Sequence, residues 1–163
     1  MFAYEGSLKA PLARLKYSRE FGVARLFADL LAPRIAALAR GRSVVIVPVP
    51  MSPTRRLSRG CNHTELIAQW LPLAHLGATL LPRGVLTRAR RPAQVGLSRT
   101  QRLRNASGAF SLRARAQASL RGKTVLVLDD VISTGATLRG CFEALSPSGA
   151  DEIQGLALLR RVA

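Results

Sequence analysis

The stretch Val125–Thr137, VLVLDDVISTGAT, decides how the rest of this chain is read. It opens with four aliphatic residues, Val125, Leu126, Val127 and Leu128. A short apolar run bounded by polar residues is expected to be a strand buried on both faces, as in a parallel sheet. Asp129 and Asp130 follow at once, then the small residues Ser133, Thr134 and Gly135, and a helical pattern begins near Thr137. The order is strand, acidic pair, small turn, helix.

Each part has a physical use. In an open α/β sheet, ligands bind beyond the carboxyl ends of the strands. A turn entering a helix presents amides with no intrahelical partner, and small residues let a phosphate approach them. Carboxylates repel phosphate but accept hydrogen bonds from vicinal hydroxyls. A phosphorylated ribose satisfies both halves. Without a ligand, two adjacent carboxylates at a strand end would only repel each other.

The stretch closely resembles the thirteen-residue phosphoribosyl pyrophosphate (PRPP) motif of type I phosphoribosyltransferases. A competing nucleotide-binding pattern fails: Gly122-Lys123-Thr124 looks like the end of a P-loop, but its first glycine would fall at Gln117. A P-loop also follows its strand, whereas this triplet precedes one.

The 163 residues suffice for one domain, 1–163, with a real core. Hydrophobic residues make up 48% and aromatics only 5%, so the core is expected to be aliphatic. No apolar run approaches the roughly 20 residues of a membrane span, and the first residues lack a signal-peptide pattern. A cytoplasmic protein is expected. Cys61 and Cys141 are far apart and form no C-x-x-C pair, which excludes a zinc ribbon within these residues.

Charge is the unusual property: 25 basic residues face 9 acidic ones, a net +16. Between Glu65 and Asp129 there is no acid, but there are Arg83, Arg88, Arg90, Arg91, Arg99, Arg102, Arg104, Arg113, Arg115, Arg121 and Lys123. Such a field attracts polyanions and speeds their association. With so few aromatics, base stacking is expected to add little.

Along the chain, Phe2–Tyr4 suits a short edge strand, and Leu8, Leu12 and Leu15 recur at helical spacing behind a Ser7 cap. A second helix is expected from Arg19 to Ala39, its stripe formed by Phe21, Leu26, Phe27, Leu30, Leu31, Ile35 and Leu38, kinked or divided at Pro33. Ser43–Val49 is expected as a buried strand whose Pro48 suggests an edge or an irregular end. A loop, Met51–Arg56, would follow, with Asn62 capping a helix through Trp70. The small residues and arginines of that loop suit a second anion, such as a pyrophosphate group.

Leu76–Leu86 reads as strand material broken by Pro82 and Gly84, and Arg88–Thr100 as a long exposed loop or hairpin. Arg99–Asn105 suits a short basic helix, Phe110–Leu112 a strand, Thr137–Leu145 a helix and Ile153–Leu159 a last buried strand. The alternation argues for a mostly parallel sheet in a doubly wound α/β domain.

A narrower resemblance rests on VVIVPVPMSPTRRLSRGCNHTELIA, then LTRARRPAQVGLSRTQRLRNASGAF, then the Val125–Thr137 motif. Together they are similar to the ComF family, phosphoribosyltransferase-like proteins linked to competence and DNA uptake, which includes GntX-type proteins. The markers are Arg59-Gly60, Asn62, Glu65, Arg88, Pro92, Gln94, Gly96, Leu97, Arg102, Asn105, Gly108 and Phe110. Two departures stand out. The four-cysteine zinc ribbon that begins many members has no counterpart in these residues, and Cys61 and His63 replace the usual aromatic and amide.

The resemblance implies the type I phosphoribosyltransferase fold and PRPP as ligand, with Mg²⁺ carried on the ligand near Asp129 and Asp130 and held by no protein cluster alone. Asp129 and Asp130 would hold the ribose and act as the catalytic pair. Ser133, Thr134, Gly135, Ala136 and Thr137 would bind the 5′-phosphate, and Met51 and Ser52 the pyrophosphate. Arg88, Gln94, Arg99 and Arg102 belong to an implied flexible loop closing over the site. The nucleic-acid contacts are assigned to Arg88, Arg90, Arg91, Arg102 and Arg104. Ser133 occupies the position of a catalytic Asp in some purine-specific relatives, and a neutral serine is a poor base. His63 and His75 are alternative bases, each read first as structural or exposed.

Two functions follow. One is a PRPP-binding protein that handles incoming single-stranded DNA in natural transformation. The other is transfer of ribose 5-phosphate from PRPP to an unidentified nitrogenous base, with pyrophosphate release. Proteins of a DNA-uptake machinery and a second copy of the chain are further partners left open.

Overall fold

The computed structural model describes residues 2–3, 8–18, 20–89 and 108–160. A parallel sheet of five strands runs through its middle, in the order β1-β7-β6-β2-β3. The strands are β1 (Phe2–Ala3), β2 (Val44–Pro48), β3 (Ala78–Leu80), β6 (Thr124–Ile132) and β7 (Glu152–Arg160). Two further strands, β4 (Leu86–Arg88) and β5 (Phe110–Leu112), form a separate antiparallel ribbon. Of the long loop or hairpin expected over Arg88–Thr100, Arg88 ends β4, and residues 90–100 lie outside the described residues.

Alternation along the central strands divides the core into two. Val44, Ile46, Leu126, Leu128 and Leu158 pack on one face against α1 (Lys9–Tyr17), α2 (Val23–Ala39) and α4 (His63–Gln69). Val45, Val47, Val125 and Val127 face the other way, against Leu120 of α5 (Gln117–Leu120), Leu138, Cys141 and Leu145 of α6 (Ala136–Leu145), and Phe110 of the ribbon. Helices therefore cover both faces, as expected for a doubly wound domain. Among the described residues no helix is long and apolar enough to cross a membrane.

Several expectations are corrected. The second helix begins at Val23 and runs on through Pro33 without dividing. Its buried residues are Ala24, Phe27, Ala28, Leu31, Ile35 and Ala39, so the stripe is partly alanine and the expected Phe21 and Leu26 are exposed. Pro48 lies on a strand with neighbours on both sides, but only its β6 side is paired there, because β3 pairs only as far as Ile46. Ser7 and the basic segment Arg99–Asn105 lie outside the described residues, and Leu8 stands at the cap of α1.

The loop expected over Met51–Arg56 is cut short by a helix, α3 (Pro53–Arg59). Ser52 is its N-cap, with Oγ accepting from the Arg55 N–H at 3.5 Å, and Pro53 stands at the first helical position. Gly60 ends it at φ +80°, a left-handed conformation that a side chain would disfavour.

The close approach of α6 to the sheet depends on one residue. A Cβ on Gly155 of β7 would meet Leu138 Cδ1 at 2.7 Å and Phe142 Cζ at 3.3 Å. The bare backbone there lets α6 sit low, and the start of α6 forms part of the site.

Candidate functional site

β6 is longer than its apolar run suggested. It continues through Asp129 and Asp130 to Ile132, so the acidic pair lies within the strand and not beyond its end. Adjacent strand residues point to opposite faces. Asp129 shares the face of Val127 and is 9% exposed, whereas Asp130 turns toward the helices of the other face.

The two carboxylates consequently live in different surroundings. Burial and the nearby charge of Asp130 raise the Asp129 carboxyl, from an ordinary 3.8 to about 7. The Asp130 N–H donating to Asp129 Oδ1 at 2.8 Å, Lys16 and Arg88 oppose that shift. Asp130 has its own counter-charge: Lys16 Nζ, from the last turn of α1, lies 2.6 Å from Asp130 Oδ2.

Beyond Ile132 the chain bends through Ser133 and Thr134 to Gly135, which caps α6 at φ +74° with nothing within 4 Å of where a Cβ would stand. The Ala136 N–H meets Thr134 Oγ1 at 3.4 Å. The next amides of the first turn have no intrahelical partner and carry the positive end of the helix dipole. Asp129, Ser133, Thr134, Gly135, Ala136 and Thr137 line one small concavity together. The candidate 5′-phosphate loop and one candidate ribose carboxylate are thus brought to the same hollow.

The second loop sits beside it. Pro48 of β2 pairs with Leu128 of β6, and the Val49 N–H donates to the Leu128 carbonyl at 2.9 Å. Met51 and Ser52 follow, half-buried, at the same end of the sheet. Asn62 Nδ2 donates to the Val49 carbonyl at 3.0 Å. The Thr64 hydroxyl stands 2.9 Å from that carbonyl and 2.8 Å from Asn62 Oδ1. Asn62 stands at the N-cap of α4, but its side chain ties down the Val49 loop and caps no amide. Glu65, one turn on, holds Arg56 of α3 and Arg83, the latter at 2.9 Å.

Arg88 closes the third side. It is half-buried on β4, with its guanidinium 5.1 Å from the centre of the Phe110 ring. Burial, with the charge of Arg55, pushes its guanidinium below the usual range, while Asp129 opposes that shift. A small anion between Arg55, Arg88 and the Met51-Ser52 loop would meet two cations, so the position suits a compact ligand as well as a nucleic-acid backbone. Arg90, Arg91, Gln94, Arg99, Arg102 and Arg104 lie outside the described residues.

The histidines differ from each other. His63, at the start of α4, is 1% exposed, and neither ring nitrogen has a hydrogen-bond partner among the described residues. Burial, with Arg59, lowers it to about 4, so the ring is neutral. His75 is exposed and away from these loops. Burial pushes the Cys141 thiol up, leaving a neutral packing group on α6.

Sequence reasoning assigned the arginines of Met51–Arg56 to a second anion and missed Lys16. Only tertiary packing brings the end of α1 to this end of the sheet. No spacing in the sequence announces it.

Comparison with known proteins agrees with this fold. The model of the phosphoribosyl transferase domain matches residues 66–163. The chain is 31% identical over 166 residues to competence protein F of Haemophilus influenzae, covering 96% of this chain and 69% of that protein. It is 32% identical over 162 residues to the DNA utilization protein YhgH of Salmonella typhi, with the same shares. Among solved structures, adenine phosphoribosyltransferase from Saccharomyces cerevisiae superposes with a TM-score of 0.54 at 13% identity, covering 87% of this chain and 70% of that one. That likeness concerns the fold, which is the type I phosphoribosyltransferase fold. The chain belongs to the phosphoribosyl transferase domain family and, within it, to the ComF family.

Proposed function

We propose that this protein binds PRPP at the end of β6 and β2 and acts in natural transformation, handling incoming single-stranded DNA. The observation that carries the first half is the shared hollow of Asp129 and the Ser133–Thr137 loop, flanked by Arg88. The second half draws support from relatives named as competence and DNA-utilization proteins. The net charge of +16 agrees with it.

In this reading the Thr134–Thr137 amides and hydroxyls hold the 5′-phosphate, and Asp129 accepts from a ribose hydroxyl. Asp130 accepts from the second once Lys16 yields. Met51, Ser52 and Arg88 hold the pyrophosphate, assisted by Arg55. Among the described residues no group of three or more metal-ligating side chains could hold a metal by itself. Two carboxylates beside an anion hollow nevertheless fit Mg²⁺ arriving on the ligand's own oxygens. Bound Mg²⁺ would neutralise pyrophosphate charge.

A second reading, phosphoribosyl transfer, is favoured by one observation: a buried carboxylate, Asp129, raised to about 7. In that reaction the bond from C1′ to the pyrophosphate oxygen breaks, and pyrophosphate leaves with the electron pair. A bond forms from C1′ to a ring nitrogen, whose proton passes to a base. Ionised Asp129 and Asp130 would stabilise the positive charge developing at C1′.

Two assays test the proposal. PRPP with Mg²⁺ should raise the melting temperature more than ATP with Mg²⁺, and an equal shift would indicate generic polyphosphate binding. Single-stranded DNA should bind with a steep loss on adding salt, about −0.7 per phosphate neutralised. Pyrophosphate release against a panel of bases separates the second reading from the first.

A further inference from the structure

Charge alone selects the acid-free interval 66–128 as the nucleic-acid surface, but the structure draws attention to another face. Tyr17 is 72% exposed, Trp70 48% and Phe21 42%, in a protein whose aromatic residues are few. Single exposed apolar residues are ordinary. Here two of the three carry an arginine. The Arg59 guanidinium lies 5.4 Å from the centre of the Tyr17 ring, and that of Arg25 lies 5.8 Å from the centre of the Trp70 ring.

The two pairs belong to one side of the molecule. Tyr17 ends α1, Arg25 lies in the first turn of α2, and Arg59 and Trp70 flank α4, whose helix contacts α2. α4, seven residues long, spans about 10 Å. The Tyr17 end adjoins the crevice, because neighbouring Lys16 touches Asp130. Of the nearby acids, Glu20 is engaged by Arg14, and Asp29 on α2 stays in solvent.

We propose that this face, from Tyr17 to Trp70, is a base-stacking contact for single-stranded nucleic acid, with Arg59 and Arg25 meeting its phosphates. The inference rests on the nucleic-acid half of the function proposed above. A strand that stacks on both rings would run along α4 and bring its end to the crevice mouth. Aromatic rings supply sequence-tolerant stacking, and a planar guanidinium already laid on a ring is preorganised to hold a phosphate. A protein partner would also cover aromatic residues, but two exposed rings that each carry an arginine are complementary to a polyanion with bases.

The chain has a single tryptophan, Trp70, so its intrinsic emission reports this face alone. A fluorescein-labelled oligothymidylate is titrated into the whole chain at low salt, recording both label anisotropy and tryptophan emission. Emission should change in step with anisotropy. An abasic oligonucleotide of equal length should bind about tenfold more weakly, and Trp70→Ala should bind oligothymidylate about tenfold more weakly. Arg25→Gln, an exposed change that spares folding, should also weaken binding while leaving the melting shift with PRPP and Mg²⁺ intact.

Anisotropy that rises with Trp70 emission unchanged, together with equal affinity for the abasic strand, would place DNA elsewhere and overturn the inference while sparing the function. No anisotropy change at all would remove the nucleic-acid reading and this face with it. A concentration-dependent shift of Trp70 emission without DNA would assign the face to a second copy of the chain, and would also overturn the proposal.

Discussion

Lys16 Nζ lies 2.6 Å from Asp130 Oδ2, joining the last turn of α1 to the far end of β6. Both side chains are mostly sheltered, at 15% and 19% exposure. The pair neutralises one carboxylate of the acidic motif and leaves Asp129 as the buried, less readily ionised one. A ribose approaching Asp130 must displace this ammonium or share the carboxylate with it.

Lys16→Met should therefore act on the acidic pair and not only on stability. Lys16 is among the charges that hold Asp129 down, so without it Asp129 ionises at higher pH. PRPP affinity at neutral pH should fall severalfold and recover on raising the pH. A pH series of PRPP titrations checks this, and an affinity loss equal at every pH would contradict it.

Asp129 also makes stability depend on pH. Its folded carboxyl is raised from 3.8 to about 7, so the folded state binds more protons than the unfolded chain within that window. The stability this contributes is fully present below pH 4 and is lost as pH rises toward 7. Asp129→Asn should flatten that alkaline limb in chemical denaturation curves and raise stability at pH 8.

His63 works in the opposite sense. Its folded value is lowered from 6.5 to about 4, so the unfolded chain takes up the proton first. Stability is lost as pH falls from 6.5 to 4, by at most about 3 kcal/mol. His63→Leu should remove this acid limb. Curves of both variants against the native chain separate the two overlapping windows.

The packing of α6 offers a structural test. Gly155→Ala would drive a methyl into Leu138 and Phe142. Overpacking of this kind costs about 1–3 kcal/mol. Because α6 carries the Ser133–Thr137 loop at its start, PRPP affinity should fall with stability. A melting-temperature loss with unchanged PRPP affinity would show that the loop is independent of helix depth.

Much of this was legible in the sequence, for identifiable reasons. The run Val125–Leu128 has the aliphatic density of a strand covered on both sides, and β6 forms there. The Ser133–Gly135 turn and the helix after it followed from small residues before a helical period. What was not legible depends on packing. α3 was missed, although Ser52-Pro53 is a start signal and Gly60 a stop signal, because only seven residues lie between. The exposed Phe21 and Leu26 were assigned to the buried stripe by hydrophobicity, whereas alanines occupy that face of α2. The separation of Asp129 from Asp130 was not legible because the expected strand stops at Leu128, just before the pair, and only strand alternation sends them to opposite faces.

Asp129, Asp130 and the Ser133–Thr137 loop are the proposed PRPP site. Calorimetric titration of PRPP with Mg²⁺ into the native chain and into Asp129→Asn/Asp130→Asn tests it most directly. Hydrogen bonds to charged groups are worth about 1.5–3 kcal/mol each. Binding to the native chain should saturate and should be weakened by about two orders of magnitude or more in the double variant. Equal binding by both, or no heat from either, would contradict it.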